Sequence, residues 1–141
     1  MPFCHTRSIR FEETDAAGVM YFANLLALCH EAYEASLAAA GFDLRQFFSD
    51  ASNPDNAIAV PIVHTAADFY RPLYCGDRVT VCLSPRQLGP DSFEIDYRLQ
   101  RDAQSLARAL TRHVCIQARS RQRCPLTTAL LDWLRLNAEP A

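Results

Sequence analysis

The chain has 141 residues, half of them hydrophobic and 21% charged, which suits one domain with a proper core and is too short for two comfortable ones. The formal net charge is −2 and all fourteen basic residues are arginine, so there is no basic field for wrapping nucleic acid and no lysine for Schiff-base chemistry. No run approaches the roughly 18 apolar residues of a membrane-spanning helix, and Met1 to Arg7 lacks the apolar stretch of a leader peptide; a soluble, cytoplasmic protein of a reducing compartment is expected.

His5 to Glu12 reads as a first strand, with Ile9 and Phe11 alternating against Arg10 and Glu12. An acidic turn at Glu13 then leads into the longest helical pattern, in which Leu25, Leu26, Cys29, Tyr33, Leu37 and Ala40 recur three or four residues apart. Gly41 supplies the stop signal. Leu28, Ala32, Ala35 and Ala39 add apolar surface on other faces, so this helix is expected to be buried with a sheet built around it. Phe42, Leu44, Phe47 and Phe48 make the next segment apolar enough to cover a core or a pocket, and Ser52 to Asn56 carries turn chemistry. Four strands are predicted next: Ile58 to Tyr70, with Pro61 marking an edge or bulge, Arg78 to Leu88, Ser92 to Leu99 and Ser105 to Arg119. A helical template also fits parts of 103–112. Pro125 suits the first position of a closing helix over Leu126 to Leu136, with Leu130, Leu131 and Leu134 inward. Strands in sequence with a segregated helix mean an α+β protein with an antiparallel sheet, as a single domain over 1–141.

The six cysteines form no C-x-x-C, and Cys29, Cys82 and Cys115 fall inside apolar patterns, so buried free thiols are expected. The four histidines are scattered, which gives no zinc constellation. His113 shares a strand face with small residues, as a core histidine does, and Glu34 reads as a structural or solvated charge.

The juxtaposition that points to chemistry is Asp15 and Gly18 at the start of the long helix. Amides at a helix start lack intrahelical acceptors and carry partial positive charge, so they polarise a carbonyl oxygen. A carboxylate beside them attacks an acyl carbon or activates water. Gly18 allows close approach of a substrate, or a backbone angle that other residues resist. The plain alternative is that Thr14 or Asp15 caps the helix and Gly18 makes a turn; acidic turns before helices are common.

The words T-D-A-A-G-V-M-Y-F-A-N, P-I-V-H-T-A-A-D-F-Y-R-P and G-D-R-V, in that order, resemble the hotdog-fold thioesterases of the 4-hydroxybenzoyl-CoA thioesterase group over roughly Thr6 to Ile116. The resemblance implies a five-stranded antiparallel sheet wrapped around a long central helix, and hydrolysis of an acyl-CoA without metal or other cofactor. It places the motif D-x-x-G-x-x-Y at Asp15, Gly18 and Tyr21, with Asp15 as nucleophile or general base and the Phe22 amide facing the thioester carbonyl. His64 and Thr65 fall on the strand that in the family runs past the catalytic helix start. There His64 is either a hydrogen-bond partner for a substrate ring hydroxyl or an ordinary strand histidine. CoA phosphates would meet either Arg86 and Ser92, flanking the 89–91 turn, or the cluster Arg119, Arg121 and Arg123.

Within the group, C-H-E-A-Y-E, P-I-V-H, C-G-D-R and T-R-H-V-C-I are similar to the 1,4-dihydroxy-2-naphthoyl-CoA hydrolases of phylloquinone biosynthesis. Phe22 and the apolar 42–48 segment suit an aromatic acyl group. The alternatives are a 4-hydroxybenzoyl-CoA or broad acyl-CoA thioesterase, a hotdog hydratase, and a non-catalytic acyl-CoA-binding protein. The hydratase is disfavoured because no histidine accompanies the Asp15 motif. Family members pair their sheets, so a homodimer or homotetramer is expected, with neither nucleic acid nor membrane as partner.

Overall fold

The computed structural model describes residues 1–48 and 57–140, so the predicted turn at Ser52 to Asn56 lies outside the described residues. In chain order the elements are β1 (Phe3–Ser8), a 3-10 turn (Phe11–Glu13), α1 (Ala23–Ala39), α2 (Leu44–Phe48), β2 (Ile58–Ala59), β3 (Ile62–Phe69), β4 (Arg78–Gly89), β5 (Ser92–Arg101), β6 (Gln104–Val114), β7 (Ile116–Gln117) and α3 (Thr128–Asn137). Five strands form one antiparallel sheet in the order β1-β4-β5-β6-β3, and β2 pairs with β7 beside it.

The sheet wraps α1, as the helix's broad apolar surface requires. Leu25, Leu28, Cys29, Ala32, Tyr33 and Leu37 are all buried, against Val79, Val81 and Leu83 of β4 and Phe93, Ile95, Tyr97 and Leu99 of β5. Strand alternation sends Glu94, Asp96 and Arg98 to the opposite, outer face. On β6 the small residues Ala107, Ala109 and Thr111 take the inner positions, leaving room for the helix, while Arg108 and Arg112 face outward. Gly41, at φ +93°, ends α1: its amide bonds Ala38 O and the Phe42 amide bonds Leu37 O, the paired closure that a left-handed residue permits. Phe42 and Phe47 then fold back against the core, and Phe47 and Phe48 each meet the Tyr33 ring edge-on. The apolar 42–48 segment therefore covers core.

Several expected boundaries move for identifiable reasons. The first strand stops at Ser8, because the chain turns at Ile9 and closes a 3-10 turn through Glu13 N to Arg10 O; Phe11 ends up 81% exposed and Ile9 alone is buried. Pro61 divides the predicted 58–70 strand into β2 and β3, since it has no N–H for a ladder. The last strand likewise breaks between Val114 and Ile116; Ala103 lies in the turn before it, and 104–112 is strand, paired with β3 and β5. The closing helix starts at Thr128 rather than at Pro125, because the Thr127 hydroxyl takes the Leu130 amide as an N-cap. Trp133 joins Leu130 and Leu134 inside and donates its indole N–H to Ser36 Oγ at 3.1 Å, fastening α3 to α1.

Cys82 is a correction. Register places it opposite Cys4 across β1 and β4, and the two form a disulfide, so Cys82 is not the free thiol expected of it. Cys29 and Cys115 are buried free thiols, and burial pushes each up to about 12.

His113 is a fully buried core residue, stacked on Phe93 with ring centroids 4.7 Å apart and with Nε2 2.9 Å from Thr111 Oγ1. Burial lowers its pKa to about 4. The unfolded chain therefore takes up this proton more readily than the folded one, and stability should be lost as pH falls from the ordinary histidine value of 6.5 toward about 4. Urea midpoints at pH 7, 6 and 5 should decline in wild type and decline less in His113→Gln. Glu13 and Glu94, held ionised by arginines, stabilise the fold above the ordinary carboxylate value of 4.5 and lose that contribution only as pH falls below it.

Candidate active site

The acidic turn is a closed loop. After the 3-10 turn, Thr14 pairs with Met20, Asp15 N donates to Val19 O at 2.9 Å, and Gly18 N donates to Asp15 O at 3.0 Å. Gly18 sits at φ +82°, which a Cβ resists, and an added Cβ there would meet nothing within 4 Å. Val19 pairs with Tyr74, and Met20 N donates to Leu73 O at 2.7 Å, so the loop is also anchored to the chain beyond β3. The Asp15 side chain is exposed, and its Oδ1 accepts the Ala17 amide at 2.9 Å. Neither Thr14 nor Asp15 caps α1: the Thr14 hydroxyl donates to Phe11 O, and Asp15 serves its own turn. The capping alternative is thereby excluded.

The helix begins with Phe22 at the N-cap position and no side-chain cap. Tyr21 N donates to Glu13 O, Asn24 N to Tyr21 O, and Leu25 N to Phe22 O. Among the described residues, no acceptor is bonded to the amides of Phe22 and Ala23. These are the open, partially positive donors of the helix start. A carboxylate in water and uncommitted amides thus flank one short loop, the combination needed to stabilise charge developing on a carbonyl oxygen.

Aromatic rings surround this loop. Tyr21 and Phe22 lie with ring centroids 4.9 Å apart, and Phe22 is 65% exposed. Tyr74, Phe69 and Tyr70 are also about half-exposed. A cleft of about 290 Å³ opens here, lined by Val19, Met20, Phe69, Tyr70, Arg71, Pro72 and Leu73. The sequence reading missed Phe69, Tyr70 and Tyr74 as site residues; their nearness comes from the pairing of the 19–20 segment with Leu73 and Tyr74.

The other expected site residues lie elsewhere in the chain's fold. Thr65 registers with Thr111 on the inner face, whereas His64 registers with Arg112 on the outer face. That outer row continues through Glu94 to Arg86. Glu94 is buried between the two arginines, ion-paired with both, and its hydrogen bond from Arg86 holds its carboxyl below the usual range. Arg86 therefore lies in a 650 Å³ groove under α3 with Leu131, Leu134 and Arg135, and not at the acidic turn. Ser92 opens β5 beside Gly89. Of the second cluster, Arg123 lies 3.6 Å from Asp91, and Arg121 adopts φ +64° in the loop after β7. His30 and Glu34 pair with each other on α1 at 2.8 Å. The structure unites Asp15, Gly18, Tyr21 and Phe22, and sets His64 and Arg86 apart, at opposite ends of an outer row that crosses β3, β6, β5 and β4.

The family model of the thioesterase-like superfamily matches residues 9–134. The chain belongs to that superfamily. A protein from Synechococcus elongatus named 1,4-dihydroxy-2-naphthoyl-CoA hydrolase is 51% identical over 133 residues, covering 94% of this chain and 95% of its own. One from Nostoc punctiforme with the same name is 45% identical, over all of this chain and 92% of its own. The crystal structure of Slr0204, a 1,4-dihydroxy-2-naphthoyl-CoA thioesterase from Synechocystis, superposes with a TM-score of 0.87 at 37% identity over 96% of each chain. The sheet wrapped around α1 is accordingly the hotdog fold.

Because Gly18 has a left-handed φ and open space, its substitution cost lies in the backbone. Gly18→Val should lose about 1–2 kcal/mol, and Gly18→Asn less, since asparagine tolerates that region. Thermal unfolding of the two variants checks this ranking.

Proposed function

We propose that this chain, acting as one domain, is an acyl-CoA thioesterase whose substrate is 1,4-dihydroxy-2-naphthoyl-CoA, serving phylloquinone biosynthesis. The observation that carries the reading is the exposed Asp15 carboxylate on the loop that ends in the open Phe22 amide. Relatives near 50% identity bearing that hydrolase name support the choice of acyl group. The Phe22 amide donates to the thioester carbonyl oxygen and binds it more tightly as the oxygen becomes an oxyanion. Asp15 either attacks the acyl carbon, giving a mixed anhydride that water opens, or takes a proton from the attacking water. On both routes the C–S bond breaks, CoA leaves as a thiolate that is protonated to the thiol, and the acyl group ends as a carboxylate. The exposed rings of Phe22, Tyr21 and Tyr74 give the naphthoyl group flat apolar surface.

The site is completed in this reading by a second copy of the chain. Every residue of β3 is exposed, and Ile62, Val63 and Phe69 are large apolar groups on a strand that pairs on one side only, with β6, among the described residues. Such an edge invites a partner strand. A two-fold axis through it pairs β3 with itself antiparallel, setting His64 and Thr65 of one protomer toward the Phe69 end of the other. That end borders the cleft beside Val19 and Met20.

Thiol release should be measured from the 1,4-dihydroxy-2-naphthoyl, 4-hydroxybenzoyl, benzoyl, acetyl and palmitoyl esters of CoA. Wild type should favour the naphthoyl ester, and Asp15→Asn should lose at least about 100-fold in rate. Broad hydrolysis lost in the mutant would keep the mechanism and discard the narrow substrate; binding without thiol release would discard catalysis. Sedimentation should give at least twice the 15.8 kDa chain mass, and Val63→Glu should shift the protein toward monomer and lower thiol release.

A further inference from the structure

Glu13 lies two residues before Asp15 and contributes no chemistry to the proposed reaction, yet five hydrogen bonds converge on it. Its carboxylate accepts Arg7 Nη1 at 2.8 Å, Arg7 Nη2 at 2.5 Å and the Arg10 amide at 2.8 Å. Its backbone carbonyl accepts the Tyr21 amide and Asn24 Nδ2, each at 2.9 Å. Arg7 in turn places Nε 2.8 Å from Glu31 of α1, and His5 Nε2 lies 2.9 Å from the same carboxylate oxygen. The Arg7 and Glu13 side chains are only 13% and 14% exposed. Arg7 holds the Glu13 carboxyl below its ordinary range, consistent with a permanent ion pair.

The placement in the chain gives this cluster its meaning. Tyr21 is the residue before Phe22, so the bond from Tyr21 N to Glu13 O spans the loop between the carboxylate and the amide. It fixes their separation. It also consumes the Tyr21 donor, which leaves Phe22 as the first open amide of the helix start. Asn24 occupies the remaining lone-pair direction of the same carbonyl, and Arg7 ties the turn to β1.

We infer that Glu13, Asn24 and Arg7 form a positioning unit that selects Phe22 as the oxyanion donor and holds it at a set distance from Asp15. This rests on the proposed thioesterase reading. The geometry behind it is independent of that reading, so the test has two arms.

The first is amide exchange by NMR on the wild-type protein, with Tyr21 expected to be protected and Phe22 open. A protected Phe22 amide overturns the proposal whatever the activity. The second is kinetic, on 1,4-dihydroxy-2-naphthoyl-CoA, with rates expressed per folded fraction from circular dichroism. Asn24→Leu is neutral and of similar size but has no donor. It should lose about 10- to 100-fold in kcat, as a misplacement of about 1 Å does, and should release Tyr21 amide protection. KM should stay within about threefold, since the contact acts on the transition state. Asn24→Gln, which keeps a donor, should recover part of the loss. Arg7→Ala should lower kcat in the same manner. Wild-type kcat in Asn24→Leu, or a loss that vanishes once corrected for folded fraction, overturns the proposal. If wild type releases no thiol from any ester, the thioesterase reading fails and the exchange result alone decides whether the strut exists.

Discussion

Enclosure of α1 by the sheet is the constraint on which the rest depends. The helix is apolar over so much of its circumference that only a surface curving around it removes those side chains from water. That curvature requires small residues on the inner face of β6, sends the charged residues of β5 outward, and leaves α3 to close the remaining side through Trp133. A helix gripped along its length also has a fixed start. Its first amides hold one position relative to the loop before it, and preorganised donors stabilise an oxyanion without reorganising during the reaction.

The same architecture separates two kinds of polar arrangement. At the helix start, polar groups are left open: Asp15 is exposed and the Phe22 amide is uncommitted. Across the outer face of β4, β5 and β6, charges are matched in pairs. Arg86, Glu94 and Arg112 sit in register, Asp96 takes Arg108 in a bidentate pair, and Arg98 reaches Glu139. Satisfied groups maintain the sheet. Unsatisfied ones are where a ligand exchanges its water for protein contacts.

What the sequence disclosed follows from how local each feature is. The helix body, its Gly41 stop and the Asp15-to-Phe22 spacing are written in consecutive residues, so periodicity and motif were enough to reach them. The Cys4–Cys82 bond, the His64–Arg112–Glu94–Arg86 row and the approach of Tyr74 to Val19 all depend on strand register, which pairs residues far apart in the chain. The bonding role of Glu13, as distinct from its place in the acidic turn, is hidden for another reason. Two of the five hydrogen bonds it accepts go to its backbone carbonyl, and no side-chain pattern signals which carbonyl a distant amide will choose. Pro61 signals an edge or a bulge within one strand, but that it divides the strand instead depends on β2 finding β7 as a partner.

The cation set carries a further consequence. Each side-chain ion pair between the strands and their neighbours is made by a guanidinium or an imidazole, because the chain has no lysine. Guanidinium groups stay protonated at any pH a protein survives and are poor nucleophiles for that reason. Primary amines, by contrast, attack the acyl carbon of a thioester, expel the thiol and become amides. In the proposed function the chain therefore exposes no lysine amine to its aroyl-CoA substrate, and gradual self-acylation on lysine is closed to it by composition.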